Sequence, residues 1–405
     1  MTSEYAHTRS VRAGIDQDPA YGAVTPPLYL SSNFSFEGFG EPRTYDYTRS
    51  GNPTRDLLAK ALADLEQGAG AVITSTGMSA VLLVLQLLKA GDRVIAPHDC
   101  YGGTYRLLET LSKKGFLKVS FVELSDPHAL EAALKDGAEL LWIETPSNPL
   151  LRLTDIRSCC QKAKQHDCLV AVDNTFLTPL LQKPITLGAD LVIHSTTKYL
   201  NGHSDVVGGA VIAANEALFE DIKWHANCLG ITGSPFDSFL TLRGLRTLGA
   251  RLRQHSENVN AVLELLKASP EVKTIYHPSL PEHPQHQLAK IQQEDFGLML
   301  SFELHGDIER TRSFIENLQV FTLAESLGGV ESLICHPATM THAAMSEDAR
   351  ELAGISPTLL RLSVGIEHPS DLLADLKLAL DSVKEPLESG HHNSESKPLE
   401  AAYHG

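Results

Sequence analysis

The sequence lacks the features of a membrane protein, a nucleic-acid-binding protein or a disulfide-stabilised protein. No apolar run approaches the roughly 20 residues that span a bilayer, which argues against a transmembrane segment. Asp and Glu outnumber Lys and Arg by 50 to 34, and the formal net charge of −16 disfavours nucleic acids and anionic membranes as partners. The six cysteines form no CxxC pair and the N-terminus shows no secretory signal, so we expect reduced thiols and a cytoplasmic location.

Several catalytic motifs are also missing. The 18 histidines show no HExxH or other metal-ligand spacing, which disfavours a metal hydrolase, and we predict no metal site. No glycine-rich stretch has the spacing of a P-loop, so an NTPase of that class is disfavoured. The chemistry must therefore come from another set of side chains.

The length of the chain predicts more than one folding unit. A chain of 405 residues is too long for one ordinary core. Residues 1–60 are rich in Pro, Gly, Ser and aromatic residues, which predicts an extended N-terminal arm that contacts a neighbouring subunit. We assign residues 61–250 to an α/β domain and residues 251–385 to a smaller C-terminal α+β domain. Residues 386–405 are polar and aperiodic, and we predict that this tail is disordered.

Short apolar runs alternate with helical segments in the first domain. The runs RVIAP, KVSFVEL, LLWIET, CLVAVDN and DLVIHST have the length of buried strands. This alternation predicts an α/β fold with a mostly parallel central sheet that helices cover on both faces. After residue 250 we predict a helix with Val259, Val262, Leu263 and Leu266 on one face, and a last helix that Ser370 caps.

Lys198 is the first candidate for catalysis. It lies in the stretch STTKYLNGH, directly after the strand run DLVIHS. Ligands of open parallel sheets bind beyond the carboxyl ends of the strands, where a lysine amine could react with an aldehyde. Taken alone, this residue is better explained as an ordinary surface lysine, because most lysines are exposed.

Asp173 ends another apolar strand, 25 positions before Lys198. A buried carboxylate needs a partner, and the protonated ring nitrogen of pyridoxal 5′-phosphate (PLP) is such a partner. A helix cap or a turn is the alternative role for this aspartate.

Two further segments fit the same ligand. Gly77 and Met78 lie in STGMS between a strand and a helix, where backbone N–H groups can face a phosphate, and Ser195 and Thr197 can add hydroxyl donors. Tyr101, in DCYGG after the run RVIAP, could stack on a flat ring or could be an ordinary turn residue.

Together these residues resemble the Cys/Met-metabolism family of PLP enzymes, also called the cystathionine gamma-synthase family. The matching stretches run from residue 47 to residue 366: YDYTRSGNPTR, TSTGMSA, HDCYGGTYR, WIETPSNP, VDNTF, HSTTKYLNGHSDVVGG, FTLAESLGGVES and LLRLSVGIE. The resemblance implies a fold-type I PLP-dependent transferase with PLP bound in the domain of residues 61–250. It also implies a homotetramer, built as a dimer of dimers with shared active sites.

The resemblance assigns a role to each matching position. Lys198 would form a Schiff base with PLP, Asp173 would pair with the ring nitrogen, and Tyr101 would stack on the ring. Thr175 would lie near the phenolic oxygen of PLP. The phosphate would be held by Gly77, Met78, Ser195 and Thr197, and across the dimer by Tyr47 and Arg49. The substrate would be bound by Asp46, Arg106, Asn148, Glu325, Ser326 and Arg361, with Arg361 on the α-carboxylate.

The expected reaction is a γ-replacement that forms L-cystathionine from O-succinylhomoserine and L-cysteine, a step of methionine biosynthesis and transsulfuration. Asp46 and Glu325 favour this reaction. Ser50 stands where the resemblance leads us to expect a second arginine, which favours γ-elimination of cystathionine, the cystathionine gamma-lyase reaction. A sulfhydrylase that uses sulfide is a third option. A catalytically inactive binding or regulatory protein is disfavoured because Lys198, Asp173 and Arg361 are all present.

Overall fold

The computed structural model describes residues 5–343, 345 and 347–384. The predicted disordered tail, residues 386–405, lies outside the described residues. Two sheets, each with its own helices, make up the described chain. None of the helices in the described ranges is both long and apolar enough to cross a membrane.

The larger sheet has seven strands in the order β1-β7-β6-β5-β4-β2-β3. Strands β2 to β6 are parallel, whereas β7 is antiparallel to both of its neighbours, β1 and β6. All five residues of β4 and of β7 are buried, because helices cover both faces of the sheet. The bounds are β1 (Gly70–Thr74), β2 (Arg93–Pro97), β3 (Lys118–Val122), β4 (Leu140–Glu144), β5 (Leu169–Asp173), β6 (Leu191–Ser195) and β7 (Gly209–Ala213).

This architecture confirms the predicted α/β fold with a mostly parallel sheet. Each of the five apolar runs forms a strand, from β2 to β6. The sequence analysis assigned no strand to β7, which returns directly after the glycine-containing turn that follows Lys198. Because it runs back beside β6 without a crossover helix, it is antiparallel rather than parallel.

The helices of this half of the chain pack on the faces of the large sheet. One cluster of buried side chains on α3 contacts β6 and β7, and α2 packs on β1. The bounds are α1 (Ala6–Val11), α2 (Pro53–Glu66), α3 (Gly77–Leu85), α4 (Gly102–Lys113), α5 (Pro127–Lys135), α6 (Ile156–Lys164), α7 (Thr178–Leu181), α8 (Pro184–Leu187), α9 (Glu216–Leu229) and α10 (Pro235–Arg246).

The smaller sheet has five strands in the order β10-β11-β12-β9-β8, and β12 is antiparallel to both of its neighbours. Helices α11, α13 and α15 cover it with one apolar cluster. The bounds are β8 (Val272–Tyr276), β9 (Met299–Leu304), β10 (Thr322–Leu323), β11 (Leu333–Cys335), β12 (Leu359–Ser363), α11 (Leu248–Ala268), α12 (His286–Gln292), α13 (Ile308–Glu316), α14 (Glu347–Ala353) and α15 (Pro369–Ser382).

One helix end differs from the sequence expectation. The buried face of α11 is confirmed, but the expectation that Ser370 caps the last helix is wrong. His368 is the N-cap of α15, and its side chain accepts a hydrogen bond from the Ser370 N–H. Pro369 favours this start because its fixed φ suits the first helical position. Helix α2 ends at Glu66 because Gln67 takes the left-handed C-cap conformation, with φ of 63°.

The N-terminal segment carries many exposed apolar side chains. After the short helix α1, residues 12–52 form turns, bends and isolated bridges. Tyr21, Leu30 and Phe39 are 94%, 66% and 108% exposed in the single chain. The predicted arm therefore has an apolar surface available for a neighbour. Its predicted end at residue 60 falls inside α2, which begins at Pro53, and the contact with a neighbouring subunit stays a prediction.

A buried polar cluster lies behind the carboxyl ends of β5 and β6. Glu66 Oε1 lies 2.6 Å from His194 Nε2 and accepts a hydrogen bond of 2.8 Å from Asn174 Nδ2. All three side chains are fully buried. The cluster fixes the residue that follows Asp173 and the residue that precedes Ser195.

Replacement of Glu66 by alanine should destabilise the protein by about 3 kcal/mol, because it removes the hydrogen-bond partner of the buried His194 and one of the partners of Asn174. Urea unfolding of the cofactor-free protein measures this loss. The matched control is Glu220→Ala, which removes an exposed glutamate paired with Lys223 and should cost less than about 0.5 kcal/mol. Equal losses in the two variants would contradict the assignment.

Candidate active site

One cavity of about 420 Å³ lies beyond the carboxyl ends of β4, β5 and β6. The N-terminus of α3 closes one side of it, and β12 of the smaller sheet contributes Arg361. The cavity brings together twelve of the sixteen residues that the sequence analysis selected: Gly77, Met78, Tyr101, Asn148, Asp173, Thr175, Ser195, Thr197, Lys198, Glu325, Ser326 and Arg361.

The amine of Lys198 lies at the centre of this group. Its Nζ donates a hydrogen bond of 2.7 Å to Ser326 Oγ. Burial, followed by the positive charge of Arg361, lowers the pKa of Lys198 to about 8, although the negative charge of Glu325 opposes this shift. A substantial fraction of the amine is therefore neutral near physiological pH, as a nucleophile or base requires.

The carboxyl group of Asp173 is buried and is placed to bind a cation. Burial raises the pKa of its carboxyl, and hydrogen bonds from Thr175 and the proximity of His194 oppose that rise. The Thr175 N–H lies 3.0 Å from Asp173 Oδ1. Among the described residues these Thr175 contacts are its only hydrogen bonds, so a positively charged ring nitrogen would complete its environment.

The opposite side of the cavity can hold an anion. Thr76 is the N-cap of α3, and the first N–H groups of this nine-residue helix have no partner within it. The backbone must come close here, since a Cβ atom on Gly77 would lie 2.9 Å from the Cβ of Ser195. The hydroxyl groups of Ser195 and Thr197 lie on the same wall, so this corner suits a phosphate.

Arg361 is buried and held by two fixed acceptors. Its Nη1 donates 3.0 Å to Asn148 Oδ1 and its Nη2 donates 2.8 Å to the Ser326 carbonyl. Its Nε has no partner among the described residues. Burial lowers the pKa of the guanidinium, so a carboxylate in the cavity would be a favourable partner. Ser326 itself has a φ of 83°, a conformation that non-glycine residues rarely adopt outside constrained sites.

Four selected residues lie outside this cavity. Asp46, Tyr47 and Arg49 are exposed on the N-terminal segment, and Arg49 Nη1 donates 2.8 Å to the carbonyl and 2.6 Å to the side-chain oxygen of Asn227. Arg106 is exposed on α4, and its charge lowers the pKa of Tyr101 against the larger effect of burial. The single chain therefore does not bring these four residues to the cavity wall.

The sequence analysis missed other side chains of the cavity, chiefly Glu144 and Thr341. Glu144 carried a usable signal, because it ends an apolar strand just as Asp173 does. Thr341 lies in a turn far along the chain, and no local pattern marks it. Within the part of the chain that the structure describes, no group of three or more His, Cys, Asp or Glu side chains is placed to hold a metal ion.

The residues present fit PLP. A lysine amine of lowered pKa lies in the same cavity as a phosphate-sized anion corner and a buried carboxylate that lacks a cation. Lys198, Asp173, Ser195 and Thr197 could thus meet the aldehyde, the ring nitrogen and the phosphate of one cofactor. Tyr101, 41% exposed, borders the same space and could cover the ring.

Comparisons with known proteins agree with this geometry. Cystathionine gamma-synthase of Escherichia coli is 56% identical over 378 residues, which cover 93% of this chain and 98% of that protein. The crystal structure of cystathionine gamma synthase from Xanthomonas oryzae pv. oryzae in complex with cystathionine is 60% identical, with a TM-score of 0.93 over 95% of this chain and 99% of that one. Cystathionine gamma-lyase of Dictyostelium discoideum is 45% identical over 375 residues, 92% of this chain and 96% of that protein.

The family model described as "Cys/Met metabolism PLP-dependent enzyme" matches residues 7–381, almost the whole described chain. This match confirms the resemblance found in the sequence and the expectation of PLP as cofactor. The chain belongs to the Cys/Met-metabolism family of PLP-dependent enzymes.

Proposed function

We propose that this enzyme forms L-cystathionine by γ-replacement from O-succinylhomoserine and L-cysteine. The observation that carries the proposal is the position of Glu325, in one cavity with Lys198 and Arg361, where its charge acts on both. An acidic side chain beside the reactive amine suits the ammonium group of an incoming cysteine. The higher identity to the synthases, at 56% and 60%, than to the γ-lyase, at 45%, supports the same reaction.

The chain's own residues would hold the cofactor as follows. Asp173 would keep the ring nitrogen protonated, Tyr101 would cover the ring, and Thr175 would lie near its phenolic oxygen. The phosphate would be bound by Ser195, Thr197 and the N–H groups of Gly77 and Met78. PLP bound in this way supplies an electron-withdrawing ring that makes protons of the substrate's α- and β-carbons removable.

Lys198 moves protons between these positions. Its amine would hold the cofactor aldehyde and, once free, would accept the α-proton of the substrate at Nζ. The hydrogen bond to Ser326 Oγ fixes the amine on one side of the cavity. In the net reaction the Cγ–O bond of the acylhomoserine breaks, a Cγ–S bond forms, and the cysteine thiol proton leaves with succinate into solvent.

Arg361 orients the substrate. Its planar fork, held by Asn148 and by the carbonyl of Ser326, binds the α-carboxylate and so directs the α-carbon toward Lys198. Arg106 would bind the distal carboxylate of the succinyl group, and Asp46 would face the entrance. Both lie outside the cavity wall of the single chain, so their part in the proposal depends on the assembled enzyme.

The second candidate is γ-elimination of cystathionine to cysteine, 2-oxobutyrate and ammonia. Two observations favour it: the similarity to a cystathionine gamma-lyase and the presence of Ser50, whose hydroxyl lies 3.4 Å from Asp46 Oδ1. A serine cannot supply the positive charge that a second arginine would offer to a succinyl carboxylate. The two reactions share Lys198 and Arg361 and differ in whether a thiol enters.

The proposal includes a shared active site in a homotetramer built from two dimers. Tyr47 and Arg49 lie outside their own cavity, on a segment with exposed apolar side chains, which suits a contribution to the phosphate of a neighbouring subunit. We also propose a cytoplasmic location, since the six unpaired cysteines suit a reducing compartment.

Product analysis distinguishes the two reactions. The holoenzyme should form cystathionine and succinate from O-succinylhomoserine and cysteine with a higher kcat/KM than it cleaves cystathionine. Glu325→Gln should lower kcat/KM for cysteine by about tenfold through the loss of a charged partner. The exposed Glu309→Gln on α13 is the matched control and should change nothing. Cleavage of cystathionine without any synthesis would overturn the assignment in favour of the lyase.

The lowered pKa of Lys198 predicts how the cofactor-free protein takes up PLP. Only the neutral amine attacks an aldehyde, so the uptake rate should rise about tenfold per pH unit below the pKa and level off above about 8. Reduction with borohydride followed by peptide mass analysis at a series of pH values gives the rate and the attached residue. Arg361→Met should move the midpoint to higher pH, because it removes a positive charge that lowers the pKa. Attachment at another lysine would refute the assignment.

Mixing inactive subunits tests the shared site. Lys198→Ala homomers and Arg49→Ala homomers should each have low activity. After unfolding and refolding together, the mixture should regain up to about a quarter of wild-type activity, because about half of the dimers are mixed and one of the two sites in each mixed dimer has both native residues. The control mixes Lys198→Ala with Asp173→Ala. One subunit contributes both residues to the same cavity, so no site in this mixture has both native residues and no activity should return. Recovery in neither mixture, with dimers confirmed by mass photometry, would contradict a role of Arg49 across the interface.

A further inference from the structure

A second carboxyl group lies beside Asp173 in the same cavity. Glu144 is the last residue of β4 and Asp173 is the last residue of β5, and the two are paired in the register of these parallel strands. Adjacent strands are about 4.8 Å apart, and paired residues place their side chains on the same face of the sheet. Both side chains line the cavity, and Glu144 is only 7% exposed.

Two carboxyl groups on paired residues of one buried site disfavour each other's charge. Burial raises the pKa of Glu144 well above its ordinary value, and the charges of Asp173 and Asp99 raise it further. Asp173 accepts hydrogen bonds from the N–H and the side chain of Thr175 and lies near His194, and each of these contacts favours its ionised form. Among the described residues Glu144 accepts a single hydrogen bond, so Asp173 retains the charge and Glu144 the proton.

That single hydrogen bond comes from Tyr101. The Tyr101 N–H donates to Glu144 Oε2 at 2.8 Å. Tyr101 is the N-cap of α4, with φ of −48° and ψ of 133° and without a capping hydrogen bond from its own side chain. A Cβ atom on Gly103 would lie 2.6 Å from the Tyr101 ring and 2.8 Å from Met78 Sδ, so the ring packs closely on the Gly103 backbone. Glu144 thus holds the backbone of the residue whose ring borders the cofactor space.

We propose that Glu144 is an uncharged positioning residue of the cofactor site, which fixes Tyr101 through its N–H and leaves Asp173 as the one negative charge for the ring nitrogen. The inference rests on the cofactor placement proposed above. A second negative charge would repel that of Asp173 in the same buried space, whereas a neutral carboxyl provides the acceptor without that repulsion. Arg106, Glu325 and Arg361 are the charged groups that act on Tyr101 from the other elements around it.

The test compares variants of the holoenzyme in the absence of substrate. Glu144→Gln keeps an acceptor oxygen and is neutral at every pH, so its PLP dissociation constant should stay within about twofold of wild type. Glu144→Ala removes the acceptor and should weaken PLP binding by about tenfold, the effect of one lost buried hydrogen bond. It should also change the visible circular dichroism of bound PLP. Gln behaving like Ala would overturn the uncharged state, and Ala behaving like wild type would overturn the positioning role.

A double-variant comparison checks that Glu144 acts through Tyr101. In a Tyr101→Ala background, Glu144→Ala should cause no further loss of PLP affinity, because the positioned ring is already gone. Independent additive losses would refute the mechanism.

A spectroscopic measurement keeps the proposal testable if Glu144→Ala does not fold. The infrared difference spectrum between wild type and Glu144→Gln should contain the band of a protonated carboxyl group, and its absence would refute the uncharged state. These readouts need no substrate, so they are independent of the choice between synthase and lyase. If Asp173→Asn left PLP binding unchanged, the cofactor placement would fail and the inference would fall with it.

Discussion

The rest of the site depends on the pairing of the buried Asp173 carboxylate with a cation. A buried negative charge without a cation is expensive, and the described contacts offer it only Thr175 and the proximity of His194. The protein sustains this arrangement through a second layer, since the next residue, Asn174, is tied to the buried pair of Glu66 and His194. A pyridine nitrogen bound here would be held in its protonated form, which makes the ring a better electron sink.

The topology of the sheet explains why the reactive groups meet. Parallel strands end on the same edge, so Glu144, Asp173 and Ser195 come together although up to 51 positions separate them along the chain. This part of the site could be predicted from the sequence, because each residue follows an apolar run that could only be a buried strand. The same reasoning predicts a site position for Glu144, which ends the apolar run LLWIET.

Other features have no local signal in the sequence. Strand β7 is antiparallel because of where the chain turns after Lys198, and strand composition does not reveal direction. Arg361 reaches the cavity from a separate sheet, and its position depends on how the two halves of the chain pack. Arg361 was selected through the family resemblance, which carries information on residues far apart in the chain that periodicity lacks. Tyr47 and Arg49 show the limit of a single chain, since their proposed ligand would belong to another subunit.

Ser326 links the two halves of the catalytic machinery. Its hydroxyl accepts the hydrogen bond of Lys198 and its carbonyl accepts that of Arg361, so one residue contacts both the amine and the guanidinium. Its φ of 83° costs conformational energy that a flexible loop would release, and those two contacts hold it in place. A substrate carboxylate that engages Arg361 therefore acts on the same residue that positions the lysine. Because β12 of the smaller sheet carries Arg361 and Lys198 follows β6 of the larger sheet, the proposed substrate binding and proton transfer depend on the packing of the two sheets as one unit.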